Sequence, residues 1–280
     1  MISEVEAREL LESPDLISIG VRGDEVRRRL HGAKTTFVRV FEIHVDAPPA
    51  SLPERTSAGE FRIVGHPRAL DTAIGATRAA VALAGGAPVT GFSLADLLSL
   101  DGSASLADAC RALHAAGLEA VAEAPIDLLQ DPTVAIAAAR DAGLAVTRLT
   151  VHILGPDNQI SMVMRAHDVQ KAIGGIRAFA PLPRTLSVTA PSTGYDDVKQ
   201  IALARLAAEN IDSIQVDWAL YGPKLAQVAL TIGADDVDNV AAVDPGTLGT
   251  RRSPLEEIRG NIRSAALEPV ERNARYEALG

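Results

Sequence analysis

The 280-residue chain has one cysteine, Cys110, and aromatic residues make up only 3% of it. A single cysteine excludes an internal disulfide, and the helical pattern of residues 106–113 around it indicates a small packed residue rather than a nucleophile. Because aromatics are scarce, the interior must be filled by Ala, Val, Leu and Ile, as in parallel sheets covered by Ala-rich helices. These absences favour an α/β protein.

Basic clusters and long apolar runs are also missing. The net charge is -9 and no basic cluster is longer than Arg27-Arg28-Arg29, which we interpret as a solvated helix face, so we expect no nucleic-acid binding. No run approaches the roughly 18 to 20 apolar residues of a membrane span, and the N-terminus lacks a basic region followed by an apolar core. We therefore expect a cytoplasmic protein with no membrane contact.

Short β-branched runs alternate with longer helical ones, which indicates repeated βα units. Eight strands can be counted: 35–45, 61–64, 89–92, 119–123, 145–153, 178–182, 213–217 and 236–243. Eight parallel strands with helical connections close most simply into a TIM-like (β/α)8 barrel. We predict a single domain over residues 1–280, with an N-terminal helical lead (1–34), the barrel (35–243), and a C-terminal loop, helix and tail (244–280).

The pattern also predicts helices outside the barrel. Two short helices, 3–12 and 23–31, would close the barrel floor, and Asp24 would cap or begin the second. After the eighth strand, Ser253 followed by proline predicts the start of a helix that runs to about Ala266. The chain then ends in an extended segment.

Residues at the C-terminal ends of the strands are the candidate site residues, because the βα loops of a barrel converge there. The catalytic candidates are Glu123, His152 and Asp217. The candidates for substrate binding are Glu42, His44, His66, Ser93, Arg184, Trp218 and Lys224. The histidines with Glu123 would suit zinc or iron if they converged, but no tight spacing such as His-x-His occurs, so we predict no metal site.

The segment after the seventh strand allows two interpretations. Trp218 could stack on a purine or aryl ring, with Asp217 accepting from sugar hydroxyls and Lys224 near a carboxylate. Equally, residues 221–224 could simply begin a helix. The acidic segment 235–238 lacks the spacing of a calcium loop, so we expect its first carboxylate to bind backbone amides at the entry to a strand.

The stretch from Trp218 to Asn239 resembles the C-terminal core of the futalosine and deazaflavin branch of radical S-adenosylmethionine enzymes, above all aminofutalosine synthase. Residues 168–182 and 253–276 resemble the same family, and the likeness spans roughly residues 25–280. The resemblance implies a radical S-adenosylmethionine type of barrel and a place in menaquinone biosynthesis through the futalosine pathway.

The sequence departs from that family where the resemblance implies cofactor ligands. The family's CxxxCxxC cysteines follow a strand like residues 36–39, but the corresponding loop, 46–59, has no thiol. Residues 154–159 stand where the family usually has glycine, histidine and glutamate near the cofactor. Because iron–sulfur clusters need thiolate ligands, we expect no four-iron four-sulfur cluster, and the grounds for S-adenosylmethionine binding are weak. We predict no cofactor.

These departures suggest a pseudoenzyme: a cluster-less homologue that acts as a non-catalytic partner subunit or substrate-binding protein in menaquinone biosynthesis. It would bind a small molecule and form a hetero-oligomer with a cysteine-bearing radical S-adenosylmethionine paralogue. One alternative is a barrel enzyme with polar or metal-assisted chemistry on a futalosine-like molecule, carried by Glu123, His152 and Asp217. Another is turnover supported by a partner's cluster. Fold similarity does not choose among these, since barrels host unrelated functions.

Overall fold

The strands form a closed parallel barrel. A computed structural model describes residues 2–100, 105–185, 193–246 and 253–279. The strands within these ranges are β1 (Lys34–His44), β2 (Glu60–Val64), β3 (Val89–Ser93), β4 (Ala120–Pro125), β5 (Ala145–Val146), β6 (Arg148–Val151), β7 (Ala178–Pro183), β8 (Ser213–Asp217), β9 (Asp236–Ala241) and β10 (Glu268–Glu271). They follow the order β10-β1-β2-β3-β4-β6-β7-β8-β9, and β1 also pairs with β9 to close the barrel. The predicted barrel is confirmed.

Helices surround this sheet. Those in the described ranges are α1 (Glu4–Glu12), α2 (Leu16–His31), α3 (Leu70–Ala84), α4 (Leu94–Leu98), α5 (Leu106–Ala115), α6 (Pro132–Asp141), α7 (Gln159–Ile173), α8 (Gly194–Ala207), α9 (Trp218–Leu230) and α10 (Pro254–Ser264). Their inner faces are rich in fully buried alanine, which lets helix and sheet backbones approach closely. Ala139, Ala166, Ala204 and Ala226 are each 0% exposed. Part of the predicted C-terminal loop, residues 247–252, lies outside the described ranges.

The fifth predicted strand is divided in two. β5 extends the start of β4, whereas β6 pairs with the end of β4 and with β7. Between them, the Thr147 carbonyl accepts from the backbone N–H groups of Arg177 and Ala178. The segment therefore pairs with β4 on both sides of Thr147 and gains β7 as a second neighbour only in β6.

The N-terminal helices differ from the prediction. α2 begins at Leu16, where Asp15 is the N-cap and accepts from the Ser18 N–H. Asp24 is not a cap, since its carboxylate binds Arg27 and Arg28 within the helix. The three-arginine run is also not wholly solvated. Arg27 is 0% exposed, and its guanidinium donates to the Gly32 carbonyl.

These helices do not close the floor of the barrel. α2 packs against α8 on the outside, where a Cβ on Gly23 would lie 2.1 Å from the Ile232 carbonyl oxygen. The floor is covered instead by residues 268–279, which we call the C-terminal tail. Its β10 pairs in parallel with β1, and its buried Arg272 donates from Nε and Nη2 to the Asp236 carboxylate at 2.6 Å each. The predicted extended segment at this end is thus the floor.

Several smaller predictions hold in the structure. Cys110 is 0% exposed in α5, and burial raises the pKa of its thiol to about 11, as fits a packed residue. Asp235 accepts from the Ile214 N–H at 2.9 Å, and Arg205 contacts the same carboxylate. None of the helices in the described part of the chain is long and apolar enough to cross a bilayer.

Candidate functional site at the barrel mouth

The C-terminal ends of the strands surround a cavity of about 240 Å³, which we call the mouth cavity. Its lining comes from several sides of the barrel and combines apolar surface with polar and charged side chains. The polar and charged residues that line it are Glu42, Arg62, His66, Ser93, Asp96, Glu123, Arg148, His152, Arg184 and Asn239. A cavity of this kind at the C-terminal face is the usual place for a barrel's functional site.

Four of the predicted residues form one ionic group at this level, the mouth cluster: Glu123, His152, Arg184 and Asp217. Glu123 on β4 lies between the other groups, with Oε1 2.7 Å from His152 Nε2 and Oε2 2.7 Å from Arg184 Nε. Arg184 Nη1 also donates to Asp217 Oδ2 at 2.9 Å. Asp217 is fixed in turn because it is the N-cap of α9 and accepts from the Leu220 N–H.

The electrostatics of the mouth cluster keep its carboxylate ionised. Burial alone would raise the pKa of Glu123, but the Arg184 charge and the His152 hydrogen bond outweigh it and lower the pKa to about 2. Burial alone would lower the pKa of His152, but the hydrogen bond and charge of Glu123, with the charge of Asp127, raise it. At neutral pH, Glu123 is therefore a carboxylate.

Below this cluster the barrel interior is filled by ion pairs rather than apolar side chains, a group we call the lumen network: Glu60, Arg62, Arg148 and Asp238. Arg62 donates to Glu60 and, at 2.7 Å, to Asp238 Oδ1, while Arg148 contacts Asp238 Oδ2. Burial raises the pKa of Asp238, yet the charges of Arg148 and Arg62 lower it well below its usual range. Buried pairs of this kind are costly to break, because removing one partner leaves an uncompensated charge.

The rim of the cavity carries strained backbone. Asn239 has φ 60° within β9 and Phe92 has φ 61° within β3. This left-handed region is rare for bulky residues and clusters at ligand sites. Asn239 Nδ2 donates to Glu42 Oε1 at 3.1 Å, and His66 Nδ1 lies 2.6 Å from Asp96 Oδ1.

The structure brings most of the predicted site residues together. Those that line the mouth cavity are Glu42, His66, Ser93, Glu123, His152 and Arg184. Asp217 lies behind them through its contact with Arg184. Among the described residues, His44, Trp218 and Lys224 are outside the lining: His44 and Lys224 are exposed, and Trp218 packs on the apolar core. The roles assigned to all ten stay predictions.

The segment after β8 is helical from its first residue. α9 starts at Trp218, is interrupted at Gly222 where φ is 74°, and continues from Pro223. The Tyr221 hydroxyl donates to the Pro183 carbonyl at 2.6 Å, which ties α9 to β7. Residues 221–224 thus lie within a helix that begins at Trp218 rather than starting one, and the binding interpretation of the segment stays a prediction.

Sequence reasoning missed the lumen network, together with Phe92, Asp96 and Asn239. A signal existed for Arg62 and Arg148. Both alternate with apolar residues in strands whose outer faces are covered by helices, so their side chains had to point into the lumen. Their partner Asp238 lies far away in sequence, and no local pattern predicts that contact.

The arrangement suits binding and proton transfer. His152 and Glu123 are in hydrogen-bond contact beside the cavity, so a bound group could exchange a proton with His152. Across the described residues, no group of three His, Cys, Asp or Glu side chains is placed to hold a metal ion.

Comparisons with known proteins identify relatives. Residues 177–280 match the family model of the CofH/MqnC C-terminal region. The chain is 32% identical over 154 residues to aminodeoxyfutalosine synthase of Streptomyces coelicolor, covering 48% of this chain and 40% of that protein. It is 31% identical over 201 residues to cyclic dehypoxanthine futalosine synthase of the same organism, covering 62% and 50%. The matches thus span about half the length of these curated relatives or less.

A third relative belongs to the deazaflavin group. It is the 5-amino-6-(D-ribitylamino)uracil–L-tyrosine 4-hydroxyphenyl transferase of Methanothermobacter thermautotrophicus, 31% identical over 149 residues, with 48% of this chain and 40% of that protein covered. Among solved structures, HydG, a maturase of the [FeFe]-hydrogenase, has a TM-score of 0.67 at 14% identity and covers 98% of this chain and 73% of its own. Methylornithine synthase has a TM-score of 0.65 at 14% identity, with 96% and 94% covered. These structures share the fold.

The comparisons contradict the prediction that no cofactor is used. The relatives and the structural neighbours are radical S-adenosylmethionine enzymes, which use an iron–sulfur cluster and S-adenosylmethionine, so the family points to these cofactors. The prediction was drawn from the missing thiols. Their absence shows which ligands this sequence lacks, but it does not show which cofactor the relatives use. We therefore correct it.

The side chains of this sequence do not include the three thiolates that would hold an iron–sulfur cluster. The loop after β1, residues 46–59, contains no cysteine. Cys110 lies in α5, fully buried and with a raised pKa, which is the opposite of a ligating thiolate. Residues 1–280 therefore do not themselves provide three thiolates for a cluster.

The fold, the mouth cavity and the sequence matches therefore agree on ancestry. The matched segment contributes Arg184, Asp217, Asp238 and Asn239 to the site. Residues 177–280 match the model of the CofH/MqnC C-terminal region, and the chain is homologous to aminodeoxyfutalosine synthase, cyclic dehypoxanthine futalosine synthase and the 4-hydroxyphenyl transferase of the deazaflavin group.

Proposed function

We propose that this chain binds a small molecule of the futalosine or ribityl kind in the mouth cavity and acts as a partner subunit of a cysteine-bearing radical S-adenosylmethionine paralogue. The chain would contribute a binding site and the partner the cysteines. Menaquinone biosynthesis is the pathway that the futalosine relatives favour, and a cytoplasmic location belongs to the same proposal.

The observation that carries the proposal is the mouth cavity itself. Several of its charged side chains lie at or just beyond the ends of strands and are held there by ion pairs, as a preorganised binding site requires. Glu123 contacts both His152 and Arg184, and Arg184 is fixed from the other side by Asp217. The relatives' names support the ligand class, since they refer to futalosines and to a D-ribitylamino compound.

The partner role is supported by the contrast between a built cavity and a missing thiolate set. Residues 1–280 contain one cysteine, which is buried, so the family's cofactor would need thiolates from outside these residues. A hetero-oligomer meets that requirement without any change to the barrel.

Two measurements test this proposal. Co-expression with a cysteine-bearing paralogue should yield a stable complex in gel filtration. Calorimetry with dehypoxanthine futalosine and with 5-amino-6-(D-ribitylamino)uracil should show binding that Glu42→Ala weakens about tenfold, because a hydrogen bond to a charged group contributes roughly 1.5 kcal/mol or more. Glu25→Ala on the exposed outer face of α2 is the control and should leave affinity unchanged. A chain that neither forms the complex nor binds these compounds contradicts the proposal.

A second candidate function, polar catalysis, is favoured by one contact. His152 and Glu123 form a hydrogen-bonded pair beside the cavity, which is the geometry of a general base and its orienting carboxylate. Turnover of a futalosine-like compound by the purified chain, abolished in His152→Ala, would support this candidate over a binding role. Binding without turnover favours the partner subunit.

A further inference from the structure

The geometry points to Glu123 as the residue that sets the charge selectivity of the mouth cavity. By neutralising Arg184 it excludes free anions such as phosphate and carboxylate, so that the ligand group that enters the barrel is uncharged and rich in hydroxyls. This inference rests on the proposed function, because it specifies the chemistry of the ligand in that same cavity.

Each guanidinium of the barrel interior already has a carboxylate partner. Arg62 binds both Glu60 and Asp238, and Arg148 binds Asp238. Arg184 lies within 3.7 Å of carboxylate oxygens of Glu123, Asp217 and Asp238. An anionic ligand would have to displace one of these buried partners before it could bind a guanidinium.

The charge balance of the interior also disfavours an anion. Within the described part of the chain, the mouth cluster and lumen network place four carboxylates against three guanidiniums and the His152 imidazole. Glu42 and Asp96 add two carboxylates at the rim. Repulsion between like charges is strong in a poorly solvated interior, so a further negative charge would be unfavourable there.

What remains available is hydrogen bonding by neutral groups. Arg184 Nε lies 2.7 Å from Glu123 Oε2, but its N–H is not aligned with that oxygen and makes no hydrogen bond to a described residue. Thr150 Oγ1 is also buried without a hydrogen bond among the described residues. The Glu42 carboxylate is exposed at the rim and can accept from a donor. A hydroxyl both donates and accepts, so a chain of hydroxyls can satisfy a carboxylate and a guanidinium N–H together without adding charge.

Glu123 is the residue to which this selectivity is assigned because of its position. Its carboxylate contacts Arg184 on one side and His152 on the other, and it lines the cavity directly. Asp217 is outside the lining and is needed to cap α9. With a neutral side chain at position 123, Arg184 would lose its carboxylate partner on the side of the cavity, and its positive charge there would no longer be neutralised.

The test uses three probes, ribitol, inorganic phosphate and benzoate, and the variant Glu123→Gln. The wild-type chain should bind ribitol and neither anion. Glu123→Gln should gain affinity for phosphate or benzoate by at least about tenfold over wild type, a change of roughly 1.4 kcal/mol. The control, Glu119→Gln, removes the same charge just before the opposite end of β4, where Glu119 pairs with the exposed Arg275, and should gain nothing.

Circular dichroism establishes whether Glu123→Gln is folded. A folded variant without increased anion affinity overturns the inference, as does wild-type protein that binds phosphate in competition with ribitol. If the variant does not fold, the wild-type comparison decides, with the His152 imidazole resonance as the reporter: a shift by ribitol alone supports the inference and a shift by phosphate overturns it. A wild type that binds neither ribitol nor the larger pathway compounds contradicts the proposed function itself.

Discussion

Ion pairs occupy both the mouth and the floor of this barrel, but they are covered by the chain only at the floor. At the floor, Asp236 is enclosed by Arg272 of the C-terminal tail, by Gln215 and by Thr36. At the mouth, Glu123 is held by two partners and still faces a cavity. The covered ion pair of Asp236 therefore serves stability alone, whereas the accessible ion pairs of Glu123 are the ones on which the proposed binding site depends.

The largest expected effect comes from opening the floor. Arg272→Ala leaves Asp236 buried without its cation, so the free energy of unfolding should fall by about 3 to 5 kcal/mol in urea titrations. Arg275→Ala, three residues along the same tail, breaks the exposed pair with Glu119 and should cost less than about 1 kcal/mol. Equal losses in the two variants would mean that the buried ion pair of Arg272 contributes no more stability than the exposed pair of Arg275.

A steric change at the floor should have a smaller effect. A Cβ at Gly59 would lie 2.6 Å from the Arg272 carbonyl oxygen, so Gly59→Ala must displace the C-terminal tail. We expect a loss of about 1 to 3 kcal/mol and faster hydrogen exchange at the tail amides. Gly75→Ala on α3, where an added Cβ meets nothing within 4 Å, is the control. Unchanged tail exchange in Gly59→Ala would show that the contact is not tight.

At the mouth we expect a pH-dependent effect instead. The pKa of His152 is raised in the folded chain, so the ion pair with Glu123 stabilises fully below the ordinary value of 6.5 and is lost as pH rises through the folded pKa. His152→Gln should therefore cost about 1.5 kcal/mol near pH 5 and clearly less near pH 9 in urea unfolding. His66→Gln is the control and should cost little stability, because its imidazole is 83% exposed and exposed ion pairs contribute little. A pH-independent difference for His152→Gln contradicts the assignment.

The smallest effect is expected outside both regions. Lys224 is exposed on α9 and does not line the cavity, so Lys224→Ala should change stability by less than about 0.5 kcal/mol and leave ligand affinity as it is. A marked loss of affinity in calorimetry would restore the interpretation of Lys224 as a partner for a ligand carboxylate.

The sequence predicted the barrel because period and turn chemistry are local. The break at Thr147 was not predictable, since it depends on which strand pairs with which. Glu123, His152 and Arg184 could be found because they end strands, and their convergence follows from the parallel arrangement. The lumen network was missed because its partners Arg62 and Asp238 meet only after the barrel closes.

The cofactor prediction failed for a different reason. Counting thiols establishes what ligands one chain can offer, but it says nothing about what the relatives use or what a second chain could supply. Which ligands the chain offers and which cofactor its relatives use are separate questions. Here they have different answers, because Cys110 is buried while the mouth cavity is formed.

Asp238 has a consequence for how the barrel comes apart. Its carboxylate is in contact with Arg62 and Arg148, and Arg184 is within 3.7 Å, so β9 is connected across the interior to β2, β6 and the end of β7. If one of these strands detached, a buried charge on another strand would lose its partner. Unfolding should therefore occur as a single cooperative event around the whole barrel, rather than by loss of one βα unit at a time.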